Sequence, residues 1–146
     1  MARINFFVEE VDFDLPFPRK TSAWIIASAG KEERPVKELN FIFCSDHYLS
    51  RINQDYLKHK SLTDIVTFDN SESDLEIEGD IFISIDRVKE NAKKFNVSFL
   101  DELHRVMIHG VLHLLGYQDK SESQKERMRK TEDAYLSLRP RISQKS

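Results

Sequence analysis

A lone cysteine, Cys44, excludes an internal disulfide and any cysteine-rich zinc site, and it suits a reducing compartment. Four glycines and four prolines in 146 residues leave little material for long floppy linkers. No stretch approaches the ~20 apolar residues of a membrane span. The apolar run after Met1 is far too short for a signal peptide. Charge of neither sign dominates, since the net charge is −3, so no global field recommends a polyanionic partner. Together these absences lead to the expectation of a cytoplasmic protein.

What is present is ordinary for a globular chain: 40% hydrophobic, 32% charged and 10% aromatic residues. A chain of this length fits one domain, here residues 1–146, burying about two-thirds of its unfolded surface. Local charge is less even than the sum. Asp64 to Asp80 carries acids and no base, whereas 139–146 carries Arg139, Arg141 and Lys145 without an acid. That basic stretch is expected to be a solvated, frayed tail.

Hydrophobic periodicity predicts four strands, near Ile4–Val8, Leu39–Cys44, Asp64–Asp69 and Gly79–Ile85. Five helices interleave with them and then follow. Thr21 and Ser22 are expected to cap the first, which carries Trp24, Ile25 and Ile26, and Ser45-Asp46 opens the second. A third covers Asp86–Phe95. Ser98 starts the longest, with Asp101 as a capping-box-like partner, and Gly116 stops it. The last begins near Ser121, with Gln124 three residues on, and runs to about Leu138. The pattern describes an α/β or α+β fold: a roughly four-stranded mixed sheet packed with about five helices.

The long helix carries the chemistry. At 100° per residue, His109, His113, Glu102 and Arg105 share one polar stripe, opposite Leu100, Leu103, Met107, Val111 and Leu114. His104 falls among the apolar residues and is expected to be a hydrogen-bonded core histidine. Residues four apart on a helix have Cβ atoms about 6 Å apart, so two imidazoles can converge on one ion with Zn–N near 2.1 Å. Such a pair alone is weak evidence. After His113 come Gly116 at the third position and Asp119 at the sixth, so a chain reversing at the glycine can return a carboxylate to the histidines. The pattern His-x-x-x-His-x-x-Gly-x-x-Asp is a metzincin-like spacing with a carboxylate as third ligand. Three protein ligands, His109, His113 and Asp119, leave a fourth position for water, the arrangement of catalytic zinc sites. Position 110 is glycine where metalloproteases place their glutamate base, which counts against peptide hydrolysis.

The segment His109-Gly-Val-Leu-His-Leu-Leu-Gly-Tyr-Gln-Asp119 closely resembles the signature of the YbeY endoribonucleases, His-Gly-x-Leu-His-Leu-x-Gly-Tyr-Asp-His. Asn53–Tyr56, Thr63–Phe68 and Gly79–Ile81 are similar to further blocks of that family, in the same order, and Met128 matches a methionine usual in its last helix. The resemblance spans roughly residues 38 to 133. It implies a compact α/β domain, one Zn²⁺ per chain, a cytoplasmic location and single-strand-specific endoribonuclease activity. It also implies ribosomal RNA and the ribosome or its small-subunit precursors as partners, in rRNA maturation including the small-subunit 3′ end and in ribosome quality control. Two positions depart from the family pattern. Asp119 stands where the family has histidine, and an oxygen ligand admits harder divalent ions than zinc. Leu57 stands where most members carry an arginine thought to serve the substrate. Lys58 and Lys60 nearby, with Thr63 and Asp64, are the candidate RNA contacts, although Thr63-Asp64 also suits plain turn chemistry.

The sequence does not identify a general base. Glu102 lies about 10 Å from His109 along the helix axis, and a Glu102–Arg105 pair fits surface decoration better than catalysis. Two rivals stay open: a zinc hydrolase of a peptide or small substrate, and a ribosome-associated binding module whose metal fixes the last helix against the long one.

Overall fold

The computed structural model describes residues 1–57 and 63–140, with Tyr56 and Leu57 seen as backbone only. Strand β1 (Arg3–Glu9) leads through helix α1 (Pro18–Lys31) to β2 (Val36–Cys44). Helix α2 (Asp46–Leu57) precedes β3 (Ile65–Asp69) and β4 (Ile77–Ser84). Three helices complete the chain: α3 (Ile85–Lys94), α4 (Phe99–Leu114) and α5 (Glu122–Ser137). The sheet is four-stranded in the order β1-β2-β4-β3, parallel except for the antiparallel β3–β4 pair. This is the mixed α+β architecture expected from the sequence. Among the described residues no helix is long and apolar enough to cross a membrane.

Strand alternation decides which face does what. Leu39, Phe41 and Phe43 of β2 and Ile77, Ile81 and Ile83 of β4 are all fully buried in the main core with Trp24, Ile25, Met107 and Val111. The opposite face holds a smaller apolar cluster of Cys44, Leu49 and Val66. It also carries a polar ladder across the strands: Asn5 donates to Asn40 at 2.9 Å, and Asn40 and Asn70 donate to Asp80 at 2.9 and 3.2 Å. Asp80 is thereby a structural residue of the sheet. Cross-strand partners of this kind fix register, because a one-residue slip would turn the asparagines into the core.

Two local expectations need correction. Helix α1 begins before Thr21: Phe17 adopts a left-handed backbone (φ 51°, ψ 56°) and Pro18 opens the first turn. Proline suits that position, since its missing N–H would have had no helical partner. The Thr21 hydroxyl instead donates back to the Phe17 carbonyl at 2.9 Å. At the start of α4, Ser98 does accept from the Asp101 amide at 3.0 Å. The Asp101 carboxylate, however, accepts from Arg139 at 3.0 Å. Arg139 also donates to His104 Nδ1 at 2.9 Å and to the Leu136 carbonyl at 2.9 Å. The first residue of the basic terminal stretch is therefore anchored, and 141–146 lie outside the described residues. The full capping box forms at α5, where Ser121 and Gln124 cap each other reciprocally.

Helix α4 crosses the main face of the sheet, and glycine sets how closely. A Cβ on Gly110 would stand 2.9 Å from Ile65 Cδ1 and 3.0 Å from Ile81 Cγ2. On β4, a Cβ at Gly79 would meet the Phe68 carbonyl at 2.5 Å and Leu114 at 3.0 Å. These contacts seat α4 against β3 and β4, and hold its histidine stripe at the sheet's edge beside α5.

Candidate metal centre and its cleft

The helical repeat brings the His109 and His113 rings together on a half-buried shoulder of α4, with Nε2 atoms 3.0 Å apart. Gly116, at φ +106°, takes the left-handed conformation that ends the helix and turns the chain. The returning segment sets Asp119 Oδ2 at 3.4 Å from both Nε2 atoms. Among the described residues these three form the one group of histidine, cysteine and acidic side chains with a geometry able to hold a metal ion.

Each ring is oriented from behind. His113 Nδ1 lies 3.0 Å from the Tyr117 carbonyl, which can only accept, so this nitrogen carries the proton. His109 Nδ1 lies 2.6 Å from Glu132 Oε2 and donates to that carboxylate. In the neutral rings, both Nε2 lone pairs then face the shared point together with a carboxylate oxygen. Three acceptors so close repel one another unless a cation sits between them. A tetrahedral ion with bonds of about 2.1 Å would separate its ligands by about 3.4 Å, near the distances found. The donor set thus fits a divalent metal, with one position left over.

Glu132, on α5, went unnoticed in the sequence. Its only signal there is its place one turn after Met128, on the same helix face. Glu132 is 4% exposed and also accepts from Arg105 at 2.9 Å, while Arg105 reaches Asp133 at 2.6 Å. The expected Glu102–Arg105 pair is therefore replaced by ion pairs to α5, which covers this side of α4. Burial alone would lower the His109 pKa, but the hydrogen bond and charge of Glu132, with Asp119 and Asp64 behind it, raise it. Surroundings that favour a proton on His109 also favour a cation beside it.

A cleft of about 450 Å³ opens next to the centre, between α3, α4, α5 and the start of β3. His109 and Asp119 line it together with Asp64, Phe95 and Glu102, and Glu102 lies two helical turns from His109. Asp64 is partly buried, and burial raises its carboxyl pKa. The Thr63 hydroxyl turns back on the chain and donates to the Ile65 carbonyl at 3.1 Å, as turn chemistry would have it. Lys58 and Lys60 lie outside the described residues. His104 is fully buried against Trp24, at 5.4 Å between ring centroids, and takes no part in the centre. Gly110 faces Ile65 and Ile81. A glutamate at that position would have to push into the sheet, so the position gives no opening for a protease-type base.

Comparison with known proteins agrees with this geometry. A family model described as endoribonuclease YbeY matches residues 6–138, a longer stretch than the motifs alone suggested. A Cytophaga hutchinsonii protein named endoribonuclease YbeY is 54% identical over 136 residues, covering 93% of this chain and 95% of that one. Proteins of the same name from Karelsulcia muelleri and Amoebophilus asiaticus are 53% and 47% identical, covering 91% and 92% of this chain and 93% and 92% of their own. The solution structure of a Thermotoga maritima protein superposes with a TM-score of 0.65 at 27% identity, over 90% of this chain and 87% of that one. A match from end to end of the fold, around a donor set that the structure assembles, leaves one conclusion: the chain belongs to the endoribonuclease YbeY family.

Proposed function

We propose that this protein is a cytoplasmic, zinc-dependent endoribonuclease that cuts single-stranded RNA during ribosomal RNA maturation, including the small-subunit 3′ end, and in ribosome quality control. His109, His113 and Asp119 are its metal ligands. The observation that carries the proposal is the convergence of His109 Nε2, His113 Nε2 and Asp119 Oδ2 at the end of an open cleft, in a chain belonging to a family of endoribonucleases.

When bound, the ion supplies a lowered pKa for water, toward about 7, and neutralises charge on a phosphate oxygen. The chain does the rest. Glu132 fixes the His109 ring and makes its Nε2 more electron-rich, and the Tyr117 carbonyl does the same for His113. Asp119 contributes a charge that offsets one of the cation's two. The cleft receives the strand beside the centre.

The test is elemental analysis of tag-free protein combined with cleavage of labelled single-stranded RNA. Wild type is expected to carry about one zinc per chain and to cut; His109→Ala and Asp119→Ala, purified identically, should lose both metal and cleavage while keeping the fold. Cleavage that persists in metal-free His109→Ala protein would overturn the proposal. If chelation lowers thermal stability and no RNA is cut by the loaded protein, the ion is structural and the binding-module alternative stands.

A further inference from the structure

The end of the cleft away from the histidines has features that a metal centre does not need. Glu102 is 5% exposed and lines the cleft, yet its carboxylate makes no hydrogen bond among the described residues. Its neighbour Arg105 is committed to Glu132 and Asp133. The Asn91 amide is turned to Asp64, at 3.4 Å. The Glu102 oxygens still reach the cleft, so a carboxylate otherwise packed away from water presents an acceptor to a donor that arrives from outside. Burial and the charge of Asp64 push the Glu102 carboxyl pKa up, against the opposing charges of Arg105 and Arg129. Glu102 stands outside the group of His109, His113 and Asp119.

Two further features define the visitor. Phe95 lines the same cleft from the C-terminal end of α3 and is 51% exposed, leaving ring surface for stacking. Lys125 and Arg129, four apart on α5 and so on one face, line it from the other side, and neither is in an ion pair among the described residues. An aromatic face, an edge acceptor and flanking cations correspond to the base, the amino edge and the phosphates of a nucleotide.

We infer that this half of the cleft is a nucleobase subsite: a base of the bound strand stacks on Phe95, Glu102 accepts hydrogen bonds from its amino-bearing edge, and Lys125 and Arg129 hold adjoining phosphates. The inference rests on the endoribonuclease reading for its biological use. Glu102 is seven residues from His109 on α4, about 10 Å, so it reads a neighbouring nucleotide and does not touch the reacting phosphate. A carboxylate accepts and does not donate. Guanine offers N1–H and an N2 amino group side by side, matching both oxygens; cytosine and adenine offer one amino group; uracil turns carbonyl oxygens toward the carboxylate. The expected order is therefore guanine first, uracil last.

The test is equilibrium binding of GMP, IMP and UMP to the full zinc-loaded chain, with cleavage of uridine oligomers bearing a single guanosine or inosine measured alongside. IMP is guanosine monophosphate without the N2 amino group. GMP should bind about tenfold more tightly than IMP or UMP, a difference of one good hydrogen bond to a charged acceptor. Glu102→Gln removes a buried charge with little change of shape, so it should fold at least as well as wild type and bind all three nucleotides within about twofold. Phe95→Ala should weaken all three about tenfold without changing their order. Lys125→Ala should weaken all three and flatten the salt dependence. Equal binding of GMP and IMP to wild type, or a preference that survives in Glu102→Gln, would overturn the inference. RNA cleavage with no base preference sinks the subsite alone; nucleotide preference without any RNA cleavage keeps the subsite and sinks the proposed activity.

Discussion

The Tyr117 carbonyl accepts from His113 Nδ1 at 3.0 Å, while the Tyr117 hydroxyl donates to Glu32 at 2.9 Å at the end of α1. One residue thus ties the His113 ring to a helix end 85 positions away in sequence. Glu32 also accepts from Tyr135, whose own carbonyl accepts from Trp24 Nε1 at 2.8 Å. The ligand loop is strapped to α1 and α5 through this one carboxylate.

Cutting the strap should be felt at the centre. Glu32→Ala leaves two tyrosine hydroxyls without their acceptor and should cost about 2 kcal/mol of stability. It should also weaken metal binding measured by competition with a chelator, because the carbonyl that orients His113 is no longer held. Unchanged metal affinity would show that Gly116 and the helix end fix the loop without Glu32.

Glu132 acts on the other ring. Its replacement by glutamine keeps the volume but removes the charge that supports both His109 and Arg105. Metal affinity should fall about 10- to 100-fold, as for other partners behind metal-bound histidines. The check is the same chelator competition, with circular dichroism to confirm that the helices persist. An affinity within twofold of wild type would remove Glu132 from the centre.

Acid sensitivity has a nameable source in His104. Burial, then the Arg139 charge, lowers its pKa from 6.5 to about 4. The unfolded chain therefore binds a proton there that the folded chain refuses, and stability rises with pH across this interval. His104 contributes fully above pH 6.5, and its contribution is lost as pH falls toward 4, on the order of 3 kcal/mol in all. In urea unfolding of metal-free protein between pH 7 and 4, His104→Gln should show a shallower decline than wild type. Parallel curves would mean that the buried ring titrates normally.

The glycines should respond in opposite directions. Gly110→Ala forces a methyl against Ile65 and Ile81 and should destabilise by about 1–3 kcal/mol. Gly30 sits exposed in the last turn of α1 with nothing within 4 Å of an added Cβ. Gly30→Ala should stabilise by about 0.5 kcal/mol, through higher helix propensity and a stiffer unfolded chain. Denaturant midpoints decide both, and a stable Gly110→Ala protein would show that α4 can lift from the sheet.

The amino-acid sequence by itself determined the fold class and the three donors that converge at the end of α4. Those features are local: strand alternation, the four-residue spacing of His109 and His113, and a glycine reversal that returns Asp119 six residues later all follow from backbone geometry within a short stretch. Helix starts were less legible, because Phe17 in a left-handed conformation ahead of Pro18 competes with a plain Thr-Ser cap. Only the tertiary structure decided that Glu132 supports His109, that Arg105 turns to α5, that Glu102 is buried without a partner, and that Glu32 ties down Tyr117. Each of these depends on how α1, α4 and α5 pack around a shared core. A helical projection sees one helix in water; it assigned Glu102 and Arg105 to a solvated stripe, and the ion pairs of Arg105 with Glu132 and Asp133 on α5 are what separated their fates.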